Sequence, residues 1–208
     1  KNIHDTLDNV RDALRGSKVA AEILVVDDAS SDRSCQLIRE WIQQNPEVDI
    51  RLIENPINKG LAANFIFAAK AAKGEWYRLI CGDNVEPMET LLTVFSNVGR
   101  AEILLPYHIH CPGKVLGRKM ISTCYTFLVN VLSGHWVRYY NGLPVTRRAY
   151  AKSLCRPELG FGFQADFVTQ LLDLGLTRLE IPVKTQERSA GKARALTKKN
   201  FKGVSVVF

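Results

Sequence analysis

Between Ile103 and Pro157 the chain contains no aspartate and no glutamate. The same stretch holds Lys114, Arg118, Lys119, Arg138, Arg147, Arg148, Lys152 and Arg156. The chain's net charge of +7 therefore comes from this block and from the tail, where Arg188, Lys192, Arg194, Lys198, Lys199 and Lys202 follow. Beside the plainer reading of a solvated surface, an anionic partner is favoured there: nucleic acid, a phosphorylated substrate or an acidic membrane surface. Long apolar runs are also lacking. No segment reaches the roughly 18 consecutive apolar residues of a spanning helix. CxxC spacing is absent, and the cysteines Cys35, Cys81, Cys111, Cys124 and Cys155 are odd in number. That pattern argues against a zinc site or a disulfide framework and reads as reduced thiols in a cytosolic protein. Internal repeats and low-complexity segments are missing too, which excludes solenoids.

What is present is ordinary globular composition over 208 residues, enough for one domain. Ile3, Leu7, Val10 and Leu14 recur at helical spacing up to Gly16, so the chain opens in a helix. Strands are expected at Glu22–Val26, Asp49–Ile53, Trp76–Ile80, Glu102–Pro106 and Thr177–Val183. Helices are expected at Arg33–Gln44, Asn64–Lys73, Pro87–Val98 and Gly160–Leu174, the last closed by Gly175. Strands alternating with helices predict an α/β fold with a mostly parallel sheet covered on both faces. A helix ahead of the first strand leaves such a sheet without its opening βα unit, so a strand is expected before Lys1. The apolar run Val204–Phe208 leads us to expect further sequence after it.

Gly117 to Gly134 brackets a helix that is apolar on most faces and begins with Arg118 and Lys119. Two readings stand: a helix lying in a membrane interface, or a buried helix packed on the sheet.

Five short motifs carry the chemistry. Val25-Val26-Asp27-Asp28-Ala29-Ser30-Ser31-Asp32 ends a strand on two adjacent carboxylates. Ligands of open α/β sheets bind at the carboxyl ends of strands, and two carboxylates there are good acceptors for a base or sugar edge, or for a metal. Ser30, Ser31 and Asp32 are good helix caps. Asn58-Lys59-Gly60 precedes a helix N-terminus, which favours anions. Cys81-Gly82-Asp83-Asn84 puts another carboxylate at a strand end, and Gly82 allows close approach or an unusual backbone angle. Gly160-Phe161-Gly162-Phe163-Gln164-Ala165-Asp166 enters a helix; Asp166 is either a first-turn charge or a group aimed at the substrate, and the aromatics are candidates for an acceptor pocket. Gln186-Glu187-Arg188 through Gly191-Lys192-Ala193-Arg194 places cations around a small-residue turn suited to phosphate oxygens.

Taken in order, with Glu54-Asn55-Pro56 and Lys73-Gly74-Glu75 between them, these motifs resemble the inverting glycosyltransferases of family 2, which have the GT-A fold. Within that family the chain looks most like the polyprenyl-phosphate sugar synthases, the dolichol-phosphate mannose synthase group. The resemblance implies one GT-A domain over 1–208, with residues 1–106 binding nucleotide and residues 107–208 facing acceptor and membrane. It implies that Asp28 contacts the nucleotide base, with Val26, Asp27, Lys59 and Gly82 lining the donor site. It implies that Asp83 is the second carboxylate of the family's metal motif, holding Mg2+ or Mn2+ and the donor diphosphate. Cys81 stands where the motif's first carboxylate belongs, and Val85 where the synthases carry a glutamine. Arg118, Arg188, Lys192 and Arg194 are the implied phosphate-binding residues, and Asp166 joins Asp83 as a catalytic residue.

The expected activity is inverting transfer from a UDP or GDP sugar to a membrane-associated acceptor, a polyprenyl phosphate, at the cytoplasmic face of a membrane. A transferase acting on a hydroxyl of a cell-surface polysaccharide or lipid-linked oligosaccharide is the first alternative. A catalytically weak nucleotide-binding domain is the second. Nucleic acid is not expected as a partner, because the basic block has no interleaved aromatics and no recognisable reading helix.

Overall fold

The computed structural model describes residues 2–110, 116–142, 144–156 and 162–187. The chain opens in helix α1 (Asn2–Ser17), whose buried stripe is Thr6, Leu7, Val10 and Ala13. It ends where Lys18 turns to a positive φ of 57°. Strand β1 (Ile23–Asp27), helix α2 (Ser34–Gln44) and strand β2 (Ile50–Glu54) form a βαβ unit. β1 and β2 pair in parallel from Ile23 opposite Ile50 to Asp27 opposite Glu54. Leu7, Ile38 and Trp41 pack under this pair with Ile23 and Val25. The buried Trp41 indole donates to Asp8 Oδ1 at 3.0 Å, so its one polar atom is satisfied.

Helix α3 (Leu61–Ala71) follows, then strand β3 (Trp76–Tyr77), helix α4 (Met88–Phe95), strand β4 (Ile103–His110) and helix α5 (Leu116–Ser133). Strand β5 (Val145–Arg147), helix α6 (Arg148–Ser153), helix α7 (Phe163–Asp173) and strand β6 (Arg178–Lys184) complete the described residues. The second sheet runs β3-β5-β4-β6. β4 and β6 are parallel, and β5 is antiparallel to both of its neighbours.

The architecture is the expected α/β arrangement, with differences that have local causes. The described strands form a two-stranded and a four-stranded sheet, and the second is mixed. The expected strand Trp76–Ile80 pairs over two residues only, because its partner β5 is three residues long and turns directly into α6. β5 is too short to show a period in sequence. α3 begins three residues before the expected Asn64, since Gly60, at φ 84°, makes the bend that starts it.

The core is an aromatic cluster on the second sheet. Phe65 of α3 stands 5.0 Å from Tyr77 of β3, and 5.7 Å from both Phe163 and Phe167 of α7, ring centre to ring centre. Phe163 is fully buried. It is therefore a core residue, which corrects the expectation that it lines an acceptor pocket; Phe161 lies outside the described residues. Burying such rings fixes α7 against α3 and so sets where Asp166 points.

Candidate active site

The carboxylates at the end of β1 are both bound internally. Asp27, the last residue of β1, is buried, and its Oδ2 accepts the Ser30 amide at 2.9 Å. Burial opposes its ionisation, but hydrogen bonds from Ser30 and the Cys35 thiol outweigh that and hold its pKa below the ordinary carboxylate value. Burial, with Asp27 and Glu54 beside it, pushes Cys35 up to about 12, so it stays a thiol. Neither Ser30 nor Ser31 caps α2; Asp32 instead accepts the Ser34 amide at 2.9 Å.

Asp28 joins two of the sequence motifs. Its Oδ1 accepts the Lys59 amide at 2.8 Å and Asn55 Nδ2 at 3.1 Å, and its Oδ2 accepts the Gly60 amide at 2.8 Å. Its backbone carbonyl accepts Asn58 Nδ2 at 3.1 Å. Asn55 also donates to Asn64 Oδ1 at 2.8 Å. Burial works against the Asp28 charge, and the amides of Lys59 and Gly60 with Asn64 and Asn55 more than restore it, so its pKa too is lowered. The anion that the start of α3 attracts is thus the protein's own carboxylate. The Lys59 ammonium lies 5.5 Å from the Phe67 ring centre, a cation–π contact. Val26, which pairs with Ile53, sets the height of the two carboxylates at the strand end.

The Asp83 turn is a second cluster. A Cβ on Gly82 would meet Ile3 Cδ1 at 2.9 Å, so the close approach this glycine permits is that of α1. Asp83 is half-buried, and Asn84 follows it at a positive φ of 57°. Asn84 Oδ1 accepts Asn9 Nδ2 of α1 at 2.8 Å. Gln186 then docks on the same turn: its amide donates to the Val85 carbonyl and its Nε2 to the Asn84 carbonyl, each at 2.9 Å. Thr90 Oγ1 donates to the Lys184 carbonyl at 2.7 Å and fixes the approach. The segment leading into Arg188 therefore begins beside Asp83. Arg188, Lys192 and Arg194 lie outside the described residues.

The donor set at this turn fits a divalent cation only as a single-carboxylate contact. Cys81 is exposed and soft, and the Asn84 side-chain oxygen is already engaged. Among the described residues no group of three or more His, Cys, Asp or Glu is placed to cage a metal. A hard cation bridging phosphates needs only one or two protein carboxylates, and Asp83 can supply one.

Asp166 forms a third cluster, on the first turn of α7. It is buried, and Arg156 grips it in bidentate fashion, Nε to Oδ2 at 3.0 Å and Nη2 to Oδ1. Gln170 Nε2 adds a bond to Oδ2 at 2.8 Å. Asp166 lines a cleft of about 310 Å3 between α5 and α7, together with Val129, Leu132, Ala165 and Thr169. Arg118 lies in the first turn of α5.

Sequence reasoning placed Asp28 and Asn58-Lys59-Gly60 at one site, and the structure joins them by hydrogen bonds. It did not single out Gln186, Asn9 or Arg156 as partners. Those pairs span 102, 75 and 10 positions, and nothing local in the sequence marks them.

Comparison with known proteins agrees with this arrangement. The model of "Glycosyl transferase family 2" matches residues 1–103. An uncharacterized protein of Mycobacterium tuberculosis (strain ATCC 25618 / H37Rv) is 34% identical over 80 residues, which cover 36% of this chain and 23% of that protein. A mannosyltransferase from Pyrobaculum calidifontis, solved with GDP-Man and Mn2+, superposes with a TM-score of 0.66 at 19% identity, over 92% of this chain and 54% of that one. Glucosyl-3-phosphoglycerate synthase from Mycobacterium tuberculosis, solved with Mn2+, UDP and phosphoglyceric acid, superposes with a TM-score of 0.70 at 14% identity, over 92% of this chain and 67% of that one. The chain thus spans less than a quarter of the curated relative and about half of the mannosyltransferase. The fold is thus shared with these glycosyltransferases over most of the chain, and the family 2 model matches its front part, residues 1–103.

Proposed function

We propose that the protein transfers a sugar, with inversion, from a UDP or GDP sugar to a polyprenyl phosphate held at the cytoplasmic face of a membrane. Residues 1–106 hold the donor and residues 107–208 the acceptor. The observation that carries the choice of acceptor is the state of Asp166. A general base needs a free lone pair within reach of the proton it takes. Asp166 already accepts three hydrogen bonds, both of the Oδ2 sites and one of Oδ1, from Arg156 and Gln170, and the guanidinium charge beside it makes it a poorer base. A hydroxyl acceptor requires such a base; a phosphate acceptor is already anionic and does not.

In the proposed step a phosphate oxygen of the lipid attacks the anomeric carbon. The bond from that carbon to the donor diphosphate breaks, and the nucleoside diphosphate leaves with the electron pair. Asp83 would hold a divalent cation, which when bound would supply charge neutralisation to the donor diphosphate. Asp27 and Asp28 shape the base pocket, Asp28 by fixing the Asn58-Lys59-Gly60 loop. Arg118, Arg188, Lys192 and Arg194 bind phosphates. Asp166 keeps Arg156 and the wall of the acceptor cleft in place.

Asp166→Asn tests the acceptor. Arg156 is half-exposed and can turn to water, so the variant folds and keeps turnover within about tenfold of wild type, on the scale of one lost charged hydrogen bond. The assay is sugar transfer from GDP-mannose and UDP-glucose to a polyprenyl phosphate, with melting followed in parallel. Near-total loss of turnover in a folded Asp166→Asn protein favours the hydroxyl-acceptor alternative.

A further inference from the structure

Arg78 is a charge in an apolar row. Along residues 76–80 the side chains alternate between two faces. Tyr77 and Leu79 join the aromatic core. Trp76 and Ile80 pack in clusters on the other face, Trp76 with Val94 and Val183, Ile80 with Leu91 and Val10. Arg78 falls in the row of Trp76 and Ile80, and its side chain is only 8% exposed. Its Nη2 donates to Glu86 Oε1, and the Glu86 side chain is 20% exposed. Arg78 Nε and Nη1 are buried and have no hydrogen-bond partner among the described residues. Taking a guanidinium and a carboxylate out of water costs free energy that one ion pair does not return, and two unpaired buried donors add to the cost. An apolar pair of similar volume would hold this place at least as well. The stability of the fold therefore does not explain Arg78.

Its place in the chain does. Arg78 and Glu86 are eight positions apart, one on each side of the Asp83 turn. Beyond Glu86, Pro87 leads into α4, which is anchored independently: Leu91 and Phe95 pack on Val10 and Ala13 of α1, and Thr90 bonds the Lys184 carbonyl. The turn itself takes a left-handed backbone at Asn84. Asn9 and Gln186 hold its tip from outside. The Arg78–Glu86 bridge closes its base. We propose that Arg78 is a positioning residue for the donor: its guanidinium, fixed by burial and tied to Glu86, closes the 78–86 loop on itself and sets where Asp83 stands. The inference rests on the reading of Asp83 as the carboxylate that takes the donor's cation. Arg78 acts through Glu86 and the turn, and touches neither cation nor diphosphate. Residues that orient a metal ligand in this way can be costly to stability and still be needed for binding.

The test compares wild type with the double variant Arg78→Met, Glu86→Met, which leaves no buried charge behind, and with Arg78→Lys. Three quantities are read: the melting temperature, hydrogen exchange of the amides of residues 82–86 without ligand, and calorimetric affinity for GDP and UDP in the presence of Mn2+. The double variant is expected to melt no lower than wild type. Its turn amides exchange faster, and its affinity for the Mn2+-loaded nucleotide falls about ten- to a hundredfold. Arg78 reaches Glu86 through one nitrogen, so Arg78→Lys keeps the bridge and restores affinity to within about threefold of wild type. A double variant whose turn exchanges no faster than that of wild type overturns the proposal. So does a double variant that melts well below wild type, since the pair is then ordinary support for the fold, or one that binds as wild type does with a loosened turn. If wild type takes up neither nucleotide with Mn2+ while the turn of the double variant still loosens, the reading of Asp83 fails and the clamp on its turn stands.

Discussion

Asp28 shows how a motif residue can be read correctly for place and incompletely for task. Its position at the strand end was legible, because an apolar run stopping at two carboxylates has few structural uses. Its bonds to Lys59, Gly60 and Asn55 were not, because they close a loop about thirty positions long. Its folded-state pKa lies below the unfolded one. Its contribution to stability is therefore full above the unfolded value, near pH 4, and is lost as pH falls through the folded value. Asp28→Asn should cost about 1–3 kcal/mol at neutral pH, measured by urea denaturation. The cost should shrink at acid pH, as the wild-type carboxylate takes up its proton on falling through the folded value. An equal cost at both pH values would mean that the amide bonds do not depend on the charge. Asp83 and Gln186 teach the same lesson. The carboxylate was visible in the sequence; the glutamine that docks on its turn lies 102 positions beyond Asn84 and carries no local mark.

Among the elements, periodicity identified α1, α2, α4 and α7 closely, since each has a buried stripe at helical spacing. It failed for β5 and α6, which are three and six residues long. It also extended β3 through Ile80, because an apolar run says nothing about whether a partner strand continues beside it. For α5 the sequence left an interfacial and a buried reading standing; in the structure Val129 and Tyr125 pack on the core while Met120, Phe127, Leu128 and Val131 stay exposed, because apolar content does not reveal which side of a helix a polar network will claim. The aromatic cluster joining α3, β3 and α7 ties the front half of the chain to the rear half. Phe65 touches all three elements, so Phe65→Ala should destabilise by about 3–5 kcal/mol, read as a lowered denaturation midpoint with an unchanged slope. A change below about 1 kcal/mol would show that the cluster repacks and that α7 is held by other contacts.

Across the whole molecule, charge and fold divide the labour. The front half is net acidic and carries the match to the family 2 model together with the carboxylates at Asp27, Asp28 and Asp83. The rear half carries the acid-free block, the outward face of α5 and the Asp166 cleft. This division fits an anionic donor held at strand ends and an anionic acceptor drawn to the basic side. The central claim is donor binding through Asp83, and thermal stabilisation tests it most directly: UDP, GDP and CDP with their sugars, each with and without Mn2+, on wild type and Asp83→Ala. The account predicts an upward shift with a UDP or GDP nucleotide that requires Mn2+ and disappears in Asp83→Ala. A flat panel, or a shift that survives both metal removal and Asp83→Ala, would contradict it.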